Sequence, residues 1–279
     1  MKGFNSIIIR YGEISLKGRN RFIFENRLVE NIRNCLNKNK VKFDKIEKPR
    51  GRIIVKTNEK CDELRKVFGI VSFSYAIETK DTLEDVNKAV ESFVENFDEK
   101  IKFRVTGHRI DKRSKLRTDI IQKEIGAFIV EKTNAKVDLK NYDQEISVEI
   151  LTGNAFIFDE KINAYGGLPV GVEGTVVCYV ENEKDALACW LVMRRGCEAV
   201  VVGEKKPSLL EKYSYGSEIK FIEGKKPEVF KIMQEEQAKA VVFGDTYDDI
   251  AKIEEEETVL RPLFGWDAKD INKKLEEIK

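Results

Sequence analysis

The pattern of the chain changes at Ala164-Tyr165-Gly166-Gly167-Leu168-Pro169-Val170-Gly171, an uncharged run with three glycines and a proline. Beyond it, short β-branched runs alternate with segments at helical spacing. Strands are expected at 175–180, 199–202, 218–222, 240–243 and 259–260, and helices at 185–195, 227–237, 248–256 and 267–277. Strands joined one by one through helices pair in parallel, because a parallel pair needs a crossover connection that a tight turn cannot supply. This part of the chain is therefore expected to be a doubly wound α/β domain, with ligands placed at the carboxyl ends of its strands.

The residues before the run follow another plan. A strand at 6–10 precedes Phe24, Leu28, Ile32 and Leu36, which fall on one face of a helix over 21–37. A hairpin at 45–47 and 52–56 turns at Pro49-Arg50-Gly51. A short helix at 62–68 and a strand at 71–77 complete a small α+β unit of ferredoxin-like type. A second unit opens with a helix at 82–97. In the strand at 102–109, Phe103 and Val105 point one way while Lys102, Arg104 and Thr106 point the other, giving a half-exposed strand with a basic outer face. A helix at 117–133 and strands at 137–139, 145–151 and 154–158 follow. The expected division is 1–77, 78–165, a linker at 166–174, and 175–279.

Composition excludes several classes. With 42% hydrophobic and 35% charged residues the chain is expected to be globular and soluble, and no apolar stretch is long enough to span a bilayer. The opening MKGFNSIIIR lacks the apolar core of a signal peptide. Five cysteines without a C-x-x-C pair point to reduced cytoplasmic thiols rather than disulfides or a zinc site. A single histidine, His108, argues against a histidine-based triad and against a histidine-rich metal centre. The formal net charge is +1, yet residues 1–170 hold 33 Lys+Arg against 26 Asp+Glu, and the remainder holds 17 against 23. Such asymmetry suggests a polyanion-facing region joined to something else. The first strand–helix turn of the α/β part, Val180-Glu181-Asn182-Glu183-Lys184-Asp185, has no glycine and three acids against one lysine. It is expected to be an ordinary loop, with Asp185 as helix N-cap, and not a phosphate cradle.

Arg10-Tyr11-Gly12-Glu13-Ile14-Ser15-Leu16-Lys17-Gly18-Arg19-Asn20-Arg21 resembles the opening of the tRNA 4-thiouridine sulfurtransferase family. Phe103-Arg104-Val105, Arg109, Asp111-Lys112, Val137-Asp138-Leu139 and Val148-Glu149-Ile150 resemble that family's THUMP domain. Gly166-Gly167-Leu168-Pro169-Val170-Gly171-Val172-Glu173-Gly174 resembles its lead-in to an adenylating domain, and Leu260-Arg261-Pro262-Leu263-Phe264-Gly265-Trp266-Asp267 resembles a segment inside it. The resemblance implies a ferredoxin-like domain, a THUMP domain and a pyrophosphatase-loop (PP-loop) α/β domain, the first two of which together grip a tRNA acceptor end. At Val180, Glu181, Asn182, Glu183, Lys184 and Asp185, however, none of the family's Ser-Gly-Gly-x-Asp-Ser residues is kept, and the domain is shortened after Gly203.

The expected function is that of a non-catalytic, cytoplasmic tRNA-binding protein, accessory to tRNA modification, with a degenerate PP-loop domain. No catalytic residue, metal or cofactor is assigned, and ATP binding is not expected. Arg10, Lys17, Arg19, Arg21, Lys102, Arg104, Arg109, Lys112, Arg113, Lys115 and Arg117 are the candidate phosphate contacts. The resemblance implies a homodimer, and a catalytic partner is the other candidate associate. Cys178, Cys189 and Cys197 are read as core residues. Two alternatives are an active sulfurtransferase with an altered ATP site and a small-ligand sensor using Gly203-Glu204 and Gly244-Asp245.

Overall fold

A computed structural model describes residues 3–114, 116–249 and 257–279. In chain order the elements of its first part are β1 (Ser6–Tyr11), α1 (Arg21–Lys38), β2 (Lys45–Glu47), β3 (Ile53–Lys56), β4 (Ile70–Lys80) and α2 (Leu83–Val94). They are followed by β5 (Lys102–Arg109), α3 (Thr118–Ile120), α4 (Gly126–Thr133), β6 (Lys136–Val137), β7 (Gln144–Leu151), β8 (Asn154–Phe158) and β9 (Ile162–Asn163). The remainder gives β10 (Gly174–Tyr179), α5 (Glu183–Arg194), β11 (Cys197–Gly203), α6 (Ser208–Glu211), β12 (Lys220–Glu223), α7 (Val229–Glu235), β13 (Val241–Val242), β14 (Val259–Leu260) and α8 (Ala268–Ile278). The helix expected at 248–256 falls almost wholly outside the described residues, and Tyr247–Asp249 is a single 3-10 turn. Two short elements, β9 and α6, have no clear sequence signal.

One compact unit comprises the chain up to Tyr11, Lys40–Asp62 and Ser72–Asn163. Its strands form one sheet in the order β2-β3-β1-β4-β8-β7-β5-β6, with β9 beside β4. The eleven-residue β4 makes the sheet continuous: residues 77–80 pair with β8, although the polar Glu78-Thr79-Lys80 hid that extension from the hydrophobic pattern. On one face, Val86, Val90 and Phe93 of α2 and Ile121, Ile125 and Ile129 of the second helical segment pack on Phe103, Val105, Ile146, Val148 and Ile150. Burial of each such side chain contributes about 1.5–3 kcal/mol. The other face gathers Ile8, Ile54, Ala76, Leu151, Phe156 and Phe158.

A carboxylate is buried on that second face. Glu149, only 1% exposed, accepts from Arg10 Nε at 2.8 Å through one oxygen and from Arg52 Nε at 2.8 Å through the other. Burial alone would push its carboxyl up, but Arg10 and Arg52 outweigh it and hold Glu149 below the usual carboxylate range. The ion pair thereby ties β1 and the start of β3 to β7.

The other compact unit comprises Gly12–Asn39, Glu63–Val71 and Ala164–Lys279. Its five strands are all parallel in the order β12-β11-β10-β13-β14. Helices α5 and α8 pack on one face through Leu187, Trp190, Ile271 and Leu275, and α7 covers the other through Val229, Ile232 and Met233. Trp190, fully buried, meets Phe68, Tyr165 and Tyr213 edge-on at ring-centre separations of 5.2–5.7 Å. The glycine-proline run is itself packed: Leu168 and Val170 are buried, and Arg27 Nε and Asn31 Nδ2 both donate to the Val170 carbonyl. Gly167 has φ +81°, and a Cβ there would lie 2.2 Å from the Arg194 carbonyl oxygen, so this position requires glycine.

Glu149→Ala leaves two guanidinium groups, one of them largely buried, without their anion, and should cost about 3–5 kcal/mol of unfolding free energy in urea titration. Because the folded pKa of Glu149 is depressed, the pair's contribution is complete above the ordinary glutamate value of about 4.3. It is lost as pH falls through the lower folded value. The wild-type protein should lose this stability on acidification and Glu149→Gln should not.

Candidate functional site

The structure sorts the candidate basic residues by what surrounds them. Those on the sheet face are already paired with acids that come much later in the chain. Arg104 lies over the Tyr142 ring at 4.0 Å and donates to Glu145 at 2.9 Å, while Thr106 also donates to Glu145. Lys102 lies 3.6 Å from Asp138. Arg10 is held by Glu149 and Ser74 and stacks 4.7 Å over Phe158. The basic outer face expected of β5 is therefore a mixed-charge strip. The acids lie on β7 and the turn before it, where only strand pairing brings them alongside.

The loop after β5 is different. Ile110 donates its backbone N–H to the Ile150 carbonyl, and buried Leu116 anchors the far end. Gly107 lacks a Cβ that would come within 3.1 Å of Ile121, so the following helix can start close against β5. Between these anchors Lys112 is exposed and has no ion-pair or hydrogen-bond partner among the described residues. Arg113 and Arg117 form two-pronged pairs with Asp111 and Asp119, their own near neighbours, yet their side chains remain 86% and 65% exposed. The Arg113 side chain and its backbone N–H bring the Asp111 carboxyl down to about 2. Solvent-facing local pairs of this kind contribute little to stability. They can exchange a carboxylate for a phosphate at small cost. Arg109 is half-buried and donates to the Ser114 carbonyl at 3.4 Å, bracing the loop. Lys115 lies outside the described residues.

In the other unit, Arg19 is exposed, Arg21 pairs with Glu25 at 2.7 Å, and Lys17 lies 3.6 Å from Glu173 and 4.5 Å over the Phe24 ring.

The parallel sheet reverses direction of winding between β10 and β13, so a ligand crevice is expected beyond Tyr179 and Val242. The chain fills it. Asn182, not Asp185, is the N-cap of α5: its side chain accepts from the Asp185 N–H at 3.1 Å. Asp185 is the other half of a capping box, and its carboxylate accepts the N–H groups of Glu181 and Asn182 at 3.2 and 3.3 Å. Those are the donors that a loop of this type would turn toward a phosphate. Burial pushes the Asp185 carboxyl up, against these two N–H groups. Gly244, at the end of β13, lies so near that a Cβ would sit 2.3 Å from Asp185 Oδ1. Lys184 is tied to Asp249 at 2.7 Å, Glu181 accepts from Tyr179, and Glu183 accepts from Lys279. Asp245, a candidate for a cationic ligand, is paired with Arg261 at 3.3 Å and lies 3.7 Å from Lys226. The residues present therefore do not fit the phosphates of ATP.

Cys178 and Cys189 are fully buried in the core between β10 and α5, and Cys197 is half-buried. Burial and the neighbouring Cys189 push the Cys178 thiol well up. Among the described residues no group of His, Cys, Asp and Glu is arranged to hold a metal, and no helix is long and apolar enough to cross a membrane.

The chain matches two known domain families. Residues 6–74 match the ThiI ferredoxin-like domain and residues 80–160 match the THUMP domain. A Thermococcus kodakarensis protein named probable tRNA sulfurtransferase is 36% identical over 96% of this chain and 86% of its own length. Several bacterial relatives of the same name match over about 70% of this chain and about half of theirs. The crystal structure of a Pyrococcus horikoshii protein superposes with TM-score 0.87 at 36% identity, covering 98% of this chain and 99% of that one. A 4-thiouridine synthetase solved with RNA and bound ATP gives TM-score 0.80 at 26% identity, covering 99% of this chain and 85% of that one.

Replacing Asn182 with alanine removes the cap of α5 and should lower stability by about 1 kcal/mol in denaturant titration, while Asn182→Asp should retain most of it.

Proposed function

This chain belongs to the tRNA sulfurtransferase family, and from that membership we propose that it binds tRNA without running ATP-dependent chemistry. The observation that carries the reading is Asp185. A carboxylate of the chain occupies the N–H groups at the strand–helix turn, and Glu181, Glu183 and Asp185 place three acids where a triphosphate would have to approach. A phosphate there meets like charge, and the N–H groups of Glu181 and Asn182 are already taken by Asp185. The loop after β5 has the opposite character, with Lys112, Arg113 and Arg117 exposed around a braced backbone. Such a loop suits the phosphates of an A-form acceptor stem, read by shape and charge rather than by base edges. The C-terminal domain then acts as a scaffold in tRNA modification, for a second copy or for a catalytic partner.

A second reading has a specific support. The Thermococcus relative, matched over most of both chains, carries the name of the active enzyme. ATP–pyrophosphate exchange in the presence of tRNA separates the two. No exchange is expected, and clear tRNA-dependent exchange would establish an ATP site rebuilt from other residues.

RNA binding itself is checked by fluorescence anisotropy with labelled tRNA across a salt series. Affinity should fall steeply with salt, and Arg109→Ala/Lys112→Ala should weaken binding and reduce the log–log salt slope by about one for each phosphate contact removed. Equal affinity and slope in the double variant would remove this loop from the interface.

A further inference from the structure

The second face of the long sheet gathers like charges around too few anions. Arg10 and Arg52 share the single carboxylate of Glu149, and Arg10 and Lys161 share the ring of Phe158, at 4.7 and 5.9 Å from its centre. His108 stands beside Glu149 in the pairing of β5 with β7. Burial holds the His108 imidazole below its ordinary range, Glu149 acts against that, and Lys161, Arg52 and Arg10 reinforce it. The charges acting on His108 are thus three cations and one anion. The next carboxylate along the strand, Glu145, is engaged by Arg104 and Thr106, and Lys161 acts on it as well.

Glu149 does more than neutralise. Each of its oxygens fixes one guanidinium, and the rest of each group is oriented by Ser74 Oγ, which accepts from Arg10, and by the Gly51 carbonyl, which accepts from Arg52. Two arginines are therefore set before any ligand arrives, Arg10 largely covered and Arg52 about one-fifth exposed, while Lys161 and His108 stand exposed at the rim. A pre-set fork of guanidinium groups flanked by a lysine and an imidazole is the chemistry that recognises a phosphate.

We propose that Arg10, Arg52, His108 and Lys161, arranged around Glu149, form a seat for a phosphate group of bound RNA, separate from the loop after β5. It rests on the RNA-binding reading given above and adds to it a second contact point, with Glu149 as the positioning residue. An added phosphate relieves the repulsion among the cations, so occupancy is favoured by the same crowding that makes the empty cluster unfavourable.

Because the chain has one histidine, the imidazole signals of His108 can be followed without assignment. In the full-length protein, titration with tRNA to saturation should shift them, and unchanged signals in the saturated complex would overturn the seat. A second measurement uses the exposed members, whose removal leaves the Arg10–Glu149–Arg52 cluster intact. His108→Ala/Lys161→Ala should weaken tRNA binding about tenfold and lower the salt slope by about one or more. Lys88→Ala, exposed on α2 over the opposite face, should change neither. Wild-type affinity and slope in the double variant, or an equal loss in Lys88→Ala, would overturn the proposal while leaving RNA binding in place. A wild-type protein that fails to bind tRNA would overturn the parent reading, and the seat with it.

Discussion

Glu149 is a carboxylate buried in the middle of a nine-stranded sheet, and such a group persists only if both of its oxygens are satisfied by charged partners. Its partners come from far away in sequence: Arg10 on β1 and Arg52 at the entrance to β3. The consequence is a fixed register. Shifting β7 by one residue would turn Glu149 to the helix-covered face and bring a hydrophobic neighbour to the guanidinium groups. The strands matched by the ferredoxin-like and THUMP families therefore belong to one sheet, with β4 pairing across the boundary and this ion cluster locking the same surface. The arrangement also explains why the face is polar, closed over Arg10 and Glu149 but open at His108 and Lys161. Arg10 covers Phe158, and the charged head of one residue shields the ring of another.

Much of the fold was legible because the periodicities are plain. The alternation of Phe103 and Val105 with Lys102 and Arg104 placed β5, and the alternation of strand and helix after Gly174 gave a parallel sheet that the structure shows in full. The failures have physical causes. Residues 78–80 carry no apolar signal, since their strand is completed by pairing rather than burial. Asp185 looked like a cap because it precedes the apolar stripe of α5. The helix begins two residues earlier, and a capping box gives Asn182 and Asp185 reciprocal roles that a single residue scan does not separate.

The candidate site was legible only in its local part. The loop after β5 concentrates basic residues within a short stretch, and the structure keeps Lys112, Arg113 and Arg117 toward solvent. By contrast, Arg104 and Arg10 were named for their charge, whereas what determines their environment is Glu145 and Glu149 on a neighbouring strand. Charge counted along the chain cannot register a cancellation across a sheet. Nor can it single out Arg52 and Lys161, which acquire significance only through the strands that assemble around them.

The α/β domain poses the same issue with the opposite sign. Its sheet order and its crevice at the point where winding reverses are those of a nucleotide-binding fold, so the backbone alone would argue for a ligand. The side chains argue otherwise. Asp185 supplies from within the chain the negative charge that the turn's N–H groups attract, and Gly244 allows β13 to close against it. Such a contact stabilises the domain in the form in which it stands, and an incoming anion would have to displace a carboxylate held by two hydrogen bonds in a half-buried place. Backbone donors at a strand–helix turn need an acceptor whether or not a ligand is present, and here the Asp185 side chain provides one from within the chain.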